Sequence, residues 1–318
     1  MKKLLSTFIV IVLGISSCQK TVHELPKTNF TSAKQFAESL LPELVVIETN
    51  TDSAIEIVFQ QASVKVYRYD WSFEDRSKPV RIKARYYDRA IEMMCGSLPT
   101  VSDGELLSSE GSFELKFEIE GQSVTPKRIR TRFETDGGFN PSMTLFNGVQ
   151  TESGFNWVEI DTLPQVSNNI PAGYLSVTEG ETSLAFAGVL YPASSFLGPN
   201  NGTTFINCDD FPSVPTQRTH IEFDIQNLPG SVSGDIVAGL YFEDLNGFLT
   251  VRPPDSEEML PSVINVPTAL QCKAIVIAVS DETIYYCIED IVTELDQRVL
   301  LNLEPIDEAE LSGKLTIL

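Results

Sequence analysis

The sequence predicts an all-β protein arranged as two antiparallel β-sandwich domains. Three observations carry that expectation. From residue 45 onward, apolar residues recur with period two in runs of four to eight, the spacing that lays one side of a strand on a core. Turn formers separate the runs, among them Asp136-Gly137-Gly138, Asn147-Gly148, Pro229-Gly230 and Asn246-Gly247, residues whose backbone or side chain favours a reversal. No alternation of strands with amphipathic helices is visible, which argues against a parallel sheet with helical crossovers.

A short helix is expected first. Ser32 followed by Gln35 matches a capping box. Phe36, Leu40, Leu41 and Leu44 follow at helical spacing, and Pro42 stops the segment early. Strands are then expected at 45–49, 54–60, 64–71, 80–87, 113–120 and 127–133. The second half adds 155–160, 174–177, 184–191, 203–208, 220–225, 236–242, 248–251, 274–279, 284–291, 299–303 and 314–318. Ser280-Asp281-Glu282-Thr283 is the turn between two of them, and symmetric pairing about it puts Val276, not Cys272, opposite Cys287. Leu115–Glu120 and Ile221–Gln226 share residue class at every position, 106 residues apart, which supports two similar units.

Ahead of the strands, Met1-Lys2-Lys3 is a basic head, and residues 4–13 form an apolar run interrupted only by Ser6 and Thr7. Ile15-Ser16-Ser17 then places small residues before Cys18. That order is a secretory signal, too short to span a bilayer core of ~30 Å at 1.5 Å per residue. It resembles the type II signal peptide of bacterial envelope lipoproteins. The resemblance implies cleavage before Cys18, acylation of Cys18, and a protein anchored by its acyl chains in the outer membrane, facing the periplasm or the outside. Gln19, where an Asp would favour inner-membrane retention, agrees with that location. The expected organisation is signal peptide 1–17, acylated tether 18–30, a sandwich over 31–155 with its leading helix, and an acidic sandwich over 156–318. Phe223–Gly230 resembles hairpins of exported sandwiches, which implies immunoglobulin- or fibronectin-like units. Asp52-Ser53-Ala54 and Asp161-Thr162-Leu163 resemble the O-glycosylation sequon of Bacteroidota, which makes Ser53 and Thr162 candidate acceptors.

Charge divides the chain. Residues 18–132 hold 16 basic and 17 acidic side chains, whereas residues 133–318 hold five basic against 27 acidic. Such a balance argues against nucleic acid as a partner. In the first half, Arg81, Lys83 and Arg85 alternate with apolar residues, as do Arg128, Arg130 and Arg132. Each triplet lines one strand face over roughly 13–14 Å, and on neighbouring strands the six would form one face for an anionic ligand. The bland reading is a sheet face neutralised by Glu114, Glu118 and Glu120. Tyr67, Tyr69 and Trp71 also share a face, read as core.

Catalytic patterns fail by subtraction. His220 is the only histidine beyond the tether, and it shares its expected outward row with Arg218, Glu222 and Asp224. Gly230-Ser231-Val232-Ser233-Gly234 has valine where a nucleophile elbow needs serine. Cys95, Cys208, Cys272 and Cys287 show no metal-binding spacing, and at most one disulfide is expected among them. No metal or cofactor is expected. The leading expectation is a non-enzymatic binding or scaffolding role toward a glycan or an envelope-assembly partner. The alternative is a carboxylate-dependent polysaccharide hydrolase, which would need two facing acids in a groove.

Overall fold

The computed structural model describes residues 27–50, 54–66, 78–124, 128–134, 142–151, 154–159, 174–176, 183–189, 202–228, 236–252 and 260–318. The fold is all-β, with sheets stacked in pairs.

In the first sheet β1 (Val45–Thr49), β4 (Val80–Tyr87), β7 (Ser108–Ile119), β14 (Thr203–Asp210), β10 (Thr144–Thr151) and β11 (Gly154–Glu159) lie in that order, and β8 (Gln122–Ser123) folds back on β7. The second sheet runs β12 (Tyr174–Ser176), β13 (Ser183–Val189), β9 (Arg128–Glu134), β3 (Ala62–Val66), β2 (Ile55–Val58). Alternation decides which side faces in: β4 buries Val80, Ile82 and Ala84 and turns Arg81, Lys83 and Arg85 away. Val64, Tyr86, Phe113, Phe117 and Phe133 fill the space between the two sheets, with ring centroids of Phe113 and Phe133 5.1 Å apart. Strands from both sides of residue 155 share these sheets, since β14 inserts between β7 and β10, and β13 pairs with β9.

The third sheet is β18 (Ser262–Pro267), β15 (Arg218–Gln226), β21 (Gln297–Asn302), in which β15 and β21 are parallel. The fourth runs β17 (Gly247–Thr250), β16 (Ile236–Phe242), β19 (Gln271–Ser280), β20 (Thr283–Val292), β22 (Glu304–Ile306). A small hairpin joins β5 (Val101–Ser102) and β6 (Glu105–Leu106). One face of the fourth sheet packs Leu240, Ala274 and Val276 on Ile221, Phe223 and Leu301 of the third. Its other face carries Tyr241, Phe248, Ile275 and Ile277, covered by helices α1 (Ala33–Ser39), α2 (Ala90–Cys95) and α3 (Glu308–Thr316). A strand buried on both faces needs a continuous apolar run, and β19 has one in Ala274-Ile-Val-Ile-Ala-Val279. The leading helix, grouped by sequence with the N-terminal strands, thus lies on a sheet of the second half.

The expected hairpin at 280–283 forms. Asp281 and Glu282 both adopt positive φ, 49° and 60°, as a two-residue hairpin loop of the primed type requires. Val276 stands opposite Cys287, and Cys272 opposite Ile291. Ser32 caps α1 by accepting from the Gln35 amide at 3.0 Å. The expected strand at 314–318 is overturned: these residues lie in α3 and its end. Asp307 caps that helix by accepting from the Ala309 amide at 2.9 Å. Leu311 and Leu315, four apart, are its buried pair. The misreading came from Lys314-Leu-Thr-Ile-Leu318, whose β-branched alternation looks like a strand once the cap seven residues upstream is ignored. Helix α2 and strands β5, β6, β8, β10, β18 and β22 were not anticipated, and Asn147-Gly148, expected as a turn, lies inside β10, where Asn147 pairs with Val158 and Ile206.

Several contacts join the halves, among them Thr100 with Phe248, Arg218 with Glu105, and the residue at the turn before β17. Asn246, in the left-handed region at φ 44°, accepts from the Ala90 amide at 2.6 Å and donates to the carbonyls of Asp88 (3.1 Å) and Ser109 (2.9 Å).

Candidate binding site

Two of the three basic residues of β4, Lys83 and Arg85, are engaged by carboxylates. Their neighbour β7 presents Glu118 opposite Arg81 and Glu114 opposite Arg85. Lys83 and Lys116 both reach Glu118, at 3.0 and 3.1 Å, and those two hydrogen bonds hold its carboxyl below the usual range. Arg85 binds Glu114 at 3.0 Å and the Pro42 carbonyl at 2.9 Å, while the Tyr87 hydroxyl donates to Glu114 at 2.7 Å. Arg128, Arg130 and Arg132 lie on β9, which pairs with β3 and β13 in the opposing sheet. Lys65 and Ala187 flank Arg130 on its two sides. The two triplets are therefore not neighbours, and the structure does not gather six cations on one face. Cys18, Ser53, Thr162 and the Tyr67–Trp71 row lie outside the described residues.

His220 stands in the outward row of β15 as expected, half exposed, with Nδ1 3.3 Å from Asp296 and Nε2 4.0 Å from Glu222. Among the described residues no three His, Cys, Asp or Glu side chains gather as a metal site. Cys95, Cys208, Cys272 and Cys287 are all free and buried. Burial pushes the Cys95 and Cys272 thiols up to about 12, which keeps them protonated and unreactive.

The structure exposes two clefts that sequence reasoning did not find. One, of about 410 Å³, lies at the far end of the β19–β20 hairpin from its turn and is lined by Tyr241, Glu243, Asp244, Lys273 and Asp290. Its one cation, Lys273, is held by Asp290 at 2.6 Å, and that carboxylate raises the ammonium's pKa. The other, of about 400 Å³, opens where the β5–β6 hairpin and the adjoining ends of β10 and β11 meet β17 and β18. Its walls are Val101, Phe155, Val251 and Val263, and its rim carries Arg252. Phe155 is buttressed by Trp157 and Phe205, at centroid distances of 4.9 and 5.2 Å. Trp157 is itself anchored by its indole N–H to the Pro99 carbonyl at 2.9 Å. The wall behind Arg252 is thus rigid and apolar, the setting in which a few polar groups fix a ligand's orientation. No sequence pattern marks this cleft, because its lining comes from separate segments within 97–104, 150–155 and 249–265.

No family model and no curated protein matches this chain.

Proposed function

We propose that the chain is an envelope lipoprotein, anchored through acylated Cys18, whose β-sandwich body has a non-enzymatic binding role toward a glycan or an envelope-assembly partner. The cleft at Arg252 supports that reading: among the described residues it pairs one cation with an apolar wall and is lined by no carboxylate. The chain's entry into the fold suits a tether. Thr28 donates its amide to the Glu282 carbonyl at 2.6 Å, and Lys27 pairs with Glu282 at 3.6 Å, so the body is fastened nine residues after Cys18. Among the described residues no helix is long and apolar enough to cross a membrane.

The hydrolase reading is favoured by one observation, the presence of Glu243, Asp244 and Asp290 along the other cleft. Against it, Asp290 is engaged by Lys273. Replacing Cys18 with Ser tests the anchor: the variant is expected to lose acylation and leave the membrane fraction, or to persist as uncleaved precursor. Normal processing and unchanged fractionation would sink it. Release of reducing ends from envelope polysaccharide, abolished by Glu243→Gln, would replace the binding reading with the hydrolase.

A further inference from the structure

We infer that the Arg252 cleft binds a peptide segment ending in a free carboxylate, an inference that rests on the binding role proposed above and names its ligand. Three observations converge on it.

The first is an accounting of cations. Residues 133–318 hold five basic side chains among 27 acidic ones, so each has many possible partners. Four are engaged: Arg218 with Glu105, Lys273 with Asp290 at 2.6 Å, Arg298 with Asp224 at 2.7 Å, and Lys314 with Glu310 at 3.5 Å. Arg252 has no carboxylate partner among the described residues, and it rims a cleft. A guanidinium presents paired donors that match the two oxygens of a carboxylate.

The second is an open strand edge beside it. The Val251 amide donates to the Ala238 carbonyl at 3.0 Å, so odd-numbered residues of this strand bond inward to β16. Even-numbered ones face the other way. Phe248 accepts from the Thr100 amide at 3.0 Å, and Arg252 exchanges bonds with Ser262 at 2.8 and 3.2 Å. Thr250 lies between them, paired with Gly239 in register only. Its outward N–H and C=O have no protein partner among the described residues, and Thr250 lines the cleft. One free donor and one free acceptor on a strand edge match the amide of an extended peptide. A sugar ring offers no such matched pair at strand spacing.

The third is the wall. Phe155, Val101 and Val263 can bury an apolar side chain of the same ligand, and Ile264, 40% exposed, extends that surface toward solvent. Amide at Thr250, side chain on the wall and carboxylate at Arg252 follow one another along a terminal dipeptide.

The test uses the acylated full chain in detergent micelles and three probes: N-acetyl-leucyl-phenylalanine, its C-terminal amide, and glucuronate. Calorimetric titration is expected to show binding of the acid, at least tenfold weaker binding of the amide, and none of glucuronate. Arg252→Gln is expected to bind acid and amide alike, while Arg252→Lys keeps part of the preference. Arg252 is exposed, so both variants are expected to melt with the parent. Equal binding of acid and amide by the parent, no binding of either, or an undiminished preference in Arg252→Gln would overturn the inference. Binding of glucuronate alone would overturn the peptide and leave a binding protein for acidic sugars. Recovery of the dipeptide cleaved would instead sink the non-enzymatic reading, and intact recovery keeps the two failures apart.

Discussion

Strands β4 and β19 are both central to their sheets, yet they answer to different surroundings. Strand β4 reads Val-Arg-Ile-Lys-Ala-Arg, apolar in and charged out, because its outer face meets water and the carboxylates of β7. Strand β19 is apolar almost throughout, because a second sheet covers one face and three helices cover the other. The lesson is that an outward charge on a sheet is satisfied by its lateral neighbour, whereas a sheet with no wet face depends on packing alone. Charge edits on the first should cost less than volume edits on the second.

The largest effect is expected on the helix-covered face. Ile277→Ala removes a fully buried side chain from beneath the helices, and urea denaturation should show a loss of about 2–5 kcal/mol. A loss below about 1 kcal/mol would mean that the helices do not pack on this sheet.

Next comes a polar flaw in the first sandwich. Asp209 is fully buried at a bulge between β14 and β7. Asn207 donates to its Oδ2, while Oδ1 has no partner. Burial first, and the nearby Glu110 and Asp210 with it, raise its pKa well above the usual value, against the hydrogen bonds that lower it. An unfolded carboxyl titrates near ~3.9, so above that pH the unfolded chain releases a proton that the folded one retains. The contribution of Asp209 to stability is therefore fully present below about pH 4 and falls as pH rises toward its folded pKa. Asp209→Asn should match the parent near pH 4 and exceed it progressively toward neutrality, by roughly 1–3 kcal/mol. A difference between the two proteins that stays flat with pH would show that Asp209 is ionised in the fold.

A contact between the halves, at Asn246, offers a third break. Asn246→Ala strands the Ala90 amide and two carbonyls, at roughly 1–3 kcal/mol. Asn246→Gly tolerates the left-handed φ, so comparing the two separates lost hydrogen bonds from backbone strain. Equal stability of Asn246→Ala and the parent would show that the halves are held elsewhere.

The smallest effect is expected on the charged face itself. Arg81→Gln should change the unfolding free energy by no more than about 0.5 kcal/mol. Arg85→Gln, which loses bonds to Glu114 and the Pro42 carbonyl, should cost about 1–2 kcal/mol. If the two variants prove equal, the ion pairs of β4 are as weakly held as exposed ones.

Much of the fold was legible beforehand. The alternation in 80–87 and 113–120 correctly separated core from surface, and the turn at 280–283 set the register that keeps Cys272 and Cys287 apart. The neutralising role of Glu114 and Glu118 was likewise readable, since strands that follow one another tend to pair. The site was not legible. Arg252 is one arginine among polar residues until β5, β11 and β18 are brought around it, and Thr250 becomes an open edge only once β16 has taken its other side.

Local chemistry acts over a few residues, so the sequence by itself determined most of the strands, the capping of α1, the hairpin turn at 280–283 and the inward or outward sense of the side chains of β4. Which strands share a sheet depends on long-range burial, and that was decided only in the tertiary structure. The same helix sequences would cover any apolar sheet, and among the described residues the fourth sheet presents Tyr241, Ile275 and Ile277 to all three helices. Strand β14 joins β7 and β10 for a comparable reason: Ile206 and Cys208 complete the first core from a distance in sequence that no local pattern reports.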